Sequence, residues 1–254
     1  KWFHFTNIRN YIYNTMKKYW EFLHESNRDT FEEFCDKYIL GSYTRNEDGT
    51  VDVDGTVDLS YKFGSDRLPF QFGSVSEDFR VKDCLLKTLS GCPSSVGGDF
   101  ICSDNYLKSL QGGPREVRHN YKAEDNLLEE LAGAPFRVGG NFNICGGRLK
   151  SLEGCDNTKV GGEFICNSAG LMRLDGCPEA KSYNFENNRL TSLDGFNKER
   201  VDGKLNLRNN EISSLEGCPE QVYGKFNCSN NELVDLVGGP KTVKGDYDCS
   251  ANNI

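Results

Sequence analysis

The sequence predicts an α/β-type repeat solenoid with a parallel β-sheet on its concave face, a mostly irregular or extended convex side, and an N-terminal helical cap. Three observations predict this fold. A leucine pair of the form L-x-x-L recurs about every 21 residues, a glycine follows each pair at a constant distance, and a short stretch of alternating apolar residues precedes each pair. One coil of this length cannot bury its own apolar face, but stacked coils share a continuous core.

The leucine pairs define the period. Their first residues recur at intervals of about 21 residues, and only the steps between Leu149 and Ile212 depart from it. Six of the seven prolines follow the same period with two repeats omitted. The first residues of the pairs are Leu86, Leu107, Leu128, Leu149, Leu171, Leu190, Ile212, Leu233 and Ile254. We therefore predict eight regular repeats over residues 86–254, with a ninth begun.

Glycine occupies the second position after the leucine pair in every repeat, from Gly91 to Gly238. A position that takes only glycine predicts a backbone with positive φ or a close approach by the neighbouring coil.

A short strand is predicted just before each leucine pair. Alternation such as Phe100-x-Cys102 and Phe226-x-Cys228 is typical of a strand, and stacking at about 4.8 Å makes the strands one parallel sheet. Asparagine, for example Asn231, usually stands two residues before the leucine, and we expect its amide to satisfy backbone groups where each strand turns away. Gly147 and Ala169 replace it in two repeats.

These segments resemble the leucine-rich repeat family. FICSDNYLKSL and FNCSNNELVDL fit L-x-L-x-x-N-x-L-x-x-L, with aromatic and cysteine residues in the first two apolar positions. The repeat length of about 20–22 residues resembles the short bacterial class, and the pattern SLEGCP…V-x-G-x-F-x-C-x-N-N resembles proteins of tailed bacteriophages and large DNA viruses. The resemblance covers roughly residues 50–254. It implies a viral protein in the host cytoplasm that engages or inhibits a host protein, for example a defence component.

The residues before the repeats are organised differently. Residues 1–45 predict a helical hairpin that caps the first coil: Thr30-x-x-Glu33 is a capping box for its second helix. Its first helix, residues 6–25, places Ile8, Ile12, Met16, Tyr19 and Leu23 on one face. Residues 46–85 contain an Asp-Gly turn and alternating valines, which predict a β-hairpin or irregular first strands followed by degenerate coils.

Composition excludes several partners. Lys and Arg total 30 against 38 for Asp and Glu, a formal charge of −8, whereas nucleic-acid-binding proteins and proteins that bind anionic membranes present basic patches. No apolar run approaches the ~18–20 residues that cross a bilayer. Eleven cysteines without an apolar signal sequence predict reduced thiols and a cytoplasmic protein.

No motif predicts catalysis, a metal ion or a cofactor. The cysteines lack C-x₂-C spacing and stand where the repeat takes apolar residues, so we interpret them as small buried hydrophobes. Cys145 lies one position off that pattern, on the outer face of its strand, and is the candidate for a reactive thiol; the alternative, which we favour, is a small exposed residue with no chemical role. His4, His24 and His119 have no ligand or nucleophile at motif spacing. We expect a protein that is not an enzyme.

Partner binding through an exposed surface is the function that the sequence favours. The outward positions of the strands vary in size and charge while the inward positions hardly change, which favours partner recognition over an unconstrained solvated face. The candidate partner-binding residues are Ile101, Ser103, Lys122, Glu124, Asn143, Ile165, Asn167, Asn184, Glu186, Asn206, Arg208 and Asn227. The alternative is a homo-oligomeric assembly protein that uses an open C-terminal coil, with Tyr247, Cys249 and Ile254 at its edge.

Overall fold

The computed structural model describes residues 29–254 and shows a parallel β-solenoid of stacked coils. Equivalent residues of neighbouring coils lie about 21 residues apart in the chain. The one helix within the described residues is α1 (Asp29–Tyr38). The coils are built from very short strands, mostly of two or three residues, so extended turns make up most of the chain. The repeat solenoid predicted from the leucine period is therefore confirmed.

Most coils contain two short strands, where the sequence pattern indicated one. A turn of two or three residues, which we call the corner, separates the two strands. The strands before the corner form row one: β3 (Phe72–Val75), β5 (Ser95–Val96), β7 (Glu116–Val117), β9 (Arg137–Val138), β11 (Lys159–Val160), β14 (Arg200–Val201), β16 (Gln221–Val222) and β18 (Thr242–Val243). The strands after it form row two: β4 (Phe79–Arg80), β6 (Phe100–Ile101), β8 (Tyr121–Lys122), β10 (Phe142–Asn143), β12 (Glu163–Ile165), β13 (Ser182–Asn184), β15 (Leu205–Asn206), β17 (Phe226–Asn227) and β19 (Tyr247–Asp248).

An antiparallel hairpin of β1 (Ile39–Arg45) and β2 (Val51–Asp58) begins the stack. The two halves of β2 start the two rows, because Val51 and Val53 pair with β3 whereas Val57 and Asp58 pair with β4. The first strand of the hairpin lies inside residues 1–45, which the sequence assigned to helices. Its residues instead pair with β2 from Val51 to Val57.

The helix α1 packs against the first coils through aromatic residues. The Phe34 ring lies 5.0 Å from that of Phe70 and 6.1 Å from that of Phe63, measured between centroids. A helix opening near Thr30 is thus present. The predicted first helix, residues 6–25, lies outside the described residues.

The core runs the length of the stack as columns of like residues. In row two, the rings of Phe100, Tyr121, Phe142 and Phe164 follow one another at 4.8, 5.0 and 5.6 Å between centroids, and all are fully buried. Burying each such side chain contributes about 1.5–3 kcal/mol. Aromatic residues in this column therefore hold neighbouring coils together.

The glycines that follow the leucine pairs meet both predicted requirements, a positive φ and a close approach by the neighbouring coil. The column from Gly91 to Gly238 has φ between +82° and +99°. In the same column, a Cβ on Gly133 would lie 2.5 Å from the Gln111 Cα of the preceding coil. The column therefore combines a left-handed backbone with a close approach by the neighbouring coil.

The asparagine ladder is also confirmed. Asn231 Oδ1 accepts a hydrogen bond from the Ile212 N–H at 3.0 Å, and its Nδ2 donates to the Leu207 and Cys228 carbonyl oxygens, each at 3.0 Å. Equivalent bonds are made by Asn105, Asn126, Asn188, Asn210 and Asn252. In each of these repeats one asparagine amide thus joins the coil to its predecessor.

Residues 147–181, which we call the irregular middle, break this regularity. The ladder position holds Gly147 and Ala169. The step from Leu149 to Leu171 is one residue longer than the usual period, and the step from Leu171 to Leu190 is two residues shorter. In row one, Lys159 contacts the next coil through an isolated bridge to Glu179, and β14, β16 and β18 form a separate sheet.

Candidate binding surface

The predicted surface lies along the outward side of row two and the residues that follow its strands. Arg208 is exposed, and most of the other candidates are half-buried. Ser103 is the exception that corrects the prediction, because only 1% of it is exposed. Its small side chain turns toward the next coil, where its hydroxyl lies 3.4 Å from the Lys122 carbonyl oxygen.

The asparagines of this surface have a local structural role that the sequence interpretation missed. The Oδ1 atoms of Asn143, Asn184, Asn206 and Asn227 each accept a hydrogen bond from the backbone N–H two residues later, at 2.9–3.2 Å. Such bonds shape the exit of the strand and do not require a partner. The recurrence of asparagine at the end of these strands is the sequence signal that could have predicted this structural role.

Three of the four charged candidates are paired within the surface, and the fourth, Glu124, has a buried carboxylate oxygen, Oε2, without a hydrogen-bond partner among the described residues. Lys122 Nζ lies 3.4 Å from an Asp99 carboxylate oxygen, and Arg208 lies 3.5 Å from Glu186. Asn206 Nδ2 donates to Glu186 Oε2 at 3.1 Å. Partly exposed pairs of this kind contribute about 0–1 kcal/mol each, so they organise the surface more than they stabilise it.

Two isoleucines depart from this polar pattern. Ile101 and Ile165 occupy the column that elsewhere holds asparagine, aspartate, lysine or arginine, and both are half-buried. They are brought onto one side of the sheet by the parallel pairing of β6, β8, β10 and β12.

The cysteines show no sign of metal binding or reactivity. All eleven are free, and residues 29–254 contain no cluster of three His, Cys, Asp or Glu side chains that could hold a metal ion. Burial raises the pKa of the Cys145 thiol to about 11, so this candidate for a reactive thiol is protonated at neutral pH. Its Sγ contacts Asn167 Oδ1.

The last coil exposes apolar side chains. Ile254 is 62% exposed and Tyr247 39% exposed, while Cys249 is half-buried. Val237, 75% exposed, lies in the turn of the same coil.

A groove of about 630 Å³ lies on the outward side of row one, and no motif pointed to it. Its lining crosses the stack from β1 to β9. The residues at its floor are small: Ser74, Ser76, Ser95, Gly97 and Gly139. Sequence reasoning missed this groove because row one has strands of two residues and because β1 joins it only through the hairpin.

The two ends of the groove carry opposite charges. At the hairpin end, Asp52 accepts hydrogen bonds from Asn46 Nδ2 at 2.9 Å and from the Ser74 N–H and Oγ at 2.6 and 2.8 Å. These bonds, that from Asn46 first, lower the pKa of Asp52. At the other end, Arg118 and Arg137 form no ion pair with any residue between 29 and 254.

No protein-family model, curated protein or solved structure matches this chain. Among the residues that the structure describes, no helix combines the length and apolar character needed to cross a membrane.

Proposed function

We propose that this chain is a non-enzymatic protein-binding solenoid that captures its partner through the outward side of row two. The observation that carries the proposal is the pair Ile101 and Ile165, two apolar residues in a column that is otherwise polar. They are three strand steps apart, or about 14 Å, which suits two anchor points in one interface.

The surroundings of the isoleucines fit an interface. Protein interfaces place apolar anchors at the centre and polar residues at the rim. Here four asparagines are already bonded to the backbone, and the charged candidates other than Glu124 are already paired. Few polar groups would therefore lose a partner when a second protein covers the isoleucines.

The repeat class and the partner class belong to the same proposal. The buried leucine pairs and the asparagine ladder support a leucine-rich repeat protein of the short bacterial or bacteriophage type. The resemblance to phage and viral repeat proteins adds the proposal that the partner is a host protein, such as a defence component, met in the host cytoplasm.

The test replaces each isoleucine by the residue that other coils use. We expect Ile101→Asn with Ile165→Asn to abolish capture of the partner from host lysate, as measured by affinity purification and mass spectrometry, while circular dichroism stays unchanged. A control with Leu127→Asn and Met172→Gln changes two exposed apolar residues elsewhere and should retain capture. Unchanged capture by the isoleucine variant would overturn the proposal.

A second candidate is homo-oligomeric assembly through the last coil, which the exposure of Tyr247 and Ile254 favours. Light scattering separates the two functions. In this case Tyr247→Ser with Ile254→Ser would reduce the molar mass, and the isoleucine variant would leave it unchanged. A chain that stays monomeric at all concentrations would rule out assembly.

A further inference from the structure

We propose that the groove on row one binds an extended peptide segment of a protein partner, with acidic residues at one end of the segment and basic residues at the other. This site is distinct from the isoleucine surface. The groove is lined by residues of the hairpin, of row one and of the corners, whereas the isoleucines lie in row two, so a substitution can disrupt one site without disrupting the other.

The length of the groove fits a short extended peptide. Its lining runs from Ser42–Thr44 on β1 across β2, β3, β5 and β7 to Arg137 on β9. These are five strand steps, or about 24 Å. An extended chain advances about 3.3 Å per residue, so about seven residues span the groove.

The floor suits a peptide backbone. Side chains alternate across a strand, so the outward positions next to the buried Val75, Val96 and Val117 form the floor. Beside Val75 and Val96 these positions hold only serine or glycine, which lets another backbone approach the sheet closely, whereas beside Val117 they hold Glu116 and Arg118. Ser95 stands near the middle of the groove, in register with Ser74 and Glu116.

The end of the groove that contains Arg118 and Arg137 can bind carboxylates. Arg137 is in register with Glu116, and Arg118 follows Glu116 by two residues, yet neither arginine is ion-paired within the described chain. Both guanidinium groups therefore keep their donors for a ligand, and a guanidinium binds a carboxylate in a bidentate manner.

The opposite end of the groove, beside the hairpin, can bind a cationic side chain. Asp52 and Asp54 line it, and the hydrogen bonds from Asn46, Ser74 and Ser76 hold both carboxylates in place. The two charged ends together favour a segment of mixed charge over a nucleic acid, whose phosphates would meet these carboxylates and a net charge of −8. A small anion would engage the arginines alone and leave the remaining length of the groove empty.

The experiment measures binding of synthetic peptides to the full chain by fluorescence anisotropy. The probe is a fluorescein-labelled heptapeptide, KKSGSEE, compared with the uncharged QQSGSQQ. We expect KKSGSEE to bind and QQSGSQQ not to bind. Arg118→Gln with Arg137→Gln should weaken binding of KKSGSEE by about 10- to 100-fold, the range for lost charged hydrogen bonds.

Two further variants keep the test decisive. Arg148→Gln with Arg189→Gln removes the same two charges from exposed positions outside the groove and should leave binding unchanged. Ser95→Phe fills the groove without changing charge and should also abolish binding. The proposal is overturned if both arginine variants weaken binding equally, if KKSGSEE does not bind, or if a single-stranded oligonucleotide binds more tightly than the peptide. Because the isoleucines are intact throughout, none of these results bears on the proposed function of row two.

Discussion

The irregular middle and the C-terminal coils, residues 182–254, carry the same repeat but connect their coils differently. In the C-terminal coils every step is joined by a buried asparagine amide, as at Asn210 and Asn231. In the irregular middle that amide is missing at Gly147 and Ala169, and the Leu149 N–H donates instead to the Ala169 backbone oxygen at 2.8 Å.

The asparagine does not set the length of a coil. The shortest step, from Leu171 to Leu190, keeps an amide, because Asn188 accepts a hydrogen bond from the Leu171 N–H. The step that ends at Leu149 has the usual 21 residues although Gly147 replaces the amide. The asparagine therefore satisfies backbone groups where the strand turns away, and the apolar columns hold the stack together.

The largest expected effect is a dependence of stability on pH, to which the irregular middle contributes three buried thiols and the C-terminal coils two, Cys218 and Cys228. Burial raises the pKa of Cys155, Cys166 and Cys177 in the irregular middle. Above pH 9 the unfolded chain loses these protons while the folded chain keeps them, so stability present below pH 9 declines as pH rises toward 12. Three thiols contribute about 4 kcal/mol per pH unit to this decline.

Denaturant titrations between pH 7 and 11 check this prediction. Replacing all three cysteines by alanine should reduce the slope of this decline by about 4 kcal/mol per pH unit, and replacing Cys155 alone should give about a third of that reduction. The other buried thiols, such as Cys92 and Cys102, keep the rest of the decline. A triple variant with the same slope as the parent chain would contradict it. Any cavity left by alanine has the same cost at every pH and does not alter the slope.

The asparagine ladder can be broken directly in the regular region. Asn231→Ala leaves the Ile212 N–H and the Leu207 and Cys228 carbonyl oxygens without this side-chain partner. We expect a loss of about 3 kcal/mol in the free energy of unfolding, measured by urea titration. Asn157→Ala, at an exposed position in the irregular middle, should change it by less than about 0.5 kcal/mol. Equal effects would refute the role of the ladder.

Sequence reasoning predicted the features that every coil repeats. The glycine column, the inward leucines and the ladder asparagines recur, and each has one physical explanation. It missed row one, because two-residue strands such as Arg137–Val138 carry almost no alternation. The assignment of Asn184 and Asn206 to partner binding stays a prediction, since a half-buried asparagine bonded to its own backbone has the same sequence signature as one that binds a partner.

The glycine column offers a matched comparison between the regions. Gly176, in the irregular middle, and Gly217, in a regular coil, have φ of +83° and +84°. A Cβ on Gly176 would lie 2.3 Å from the Leu152 oxygen, whereas a Cβ on Gly217 would lie 3.5 Å from its nearest neighbour, the Leu193 oxygen. In both alanine variants the left-handed backbone conformation lowers the free energy of unfolding by about 1 kcal/mol. We expect Gly176→Ala to cost about 2 kcal/mol more in thermal or urea unfolding; similar values would show that the tighter contact relaxes.

The smallest expected effect concerns Ile165. Ile165→Asn removes a half-buried apolar side chain, which costs about 1 kcal/mol. It also supplies an oxygen for the Asn167 N–H, the bond that Asn143 makes to the Cys145 N–H in the preceding coil, and this contributes a similar amount in the opposite direction. Urea titration should therefore show a change below about 0.5 kcal/mol. A larger loss would mean that the coil itself needs the isoleucine, and its place on the surface would then give no reason to propose a partner.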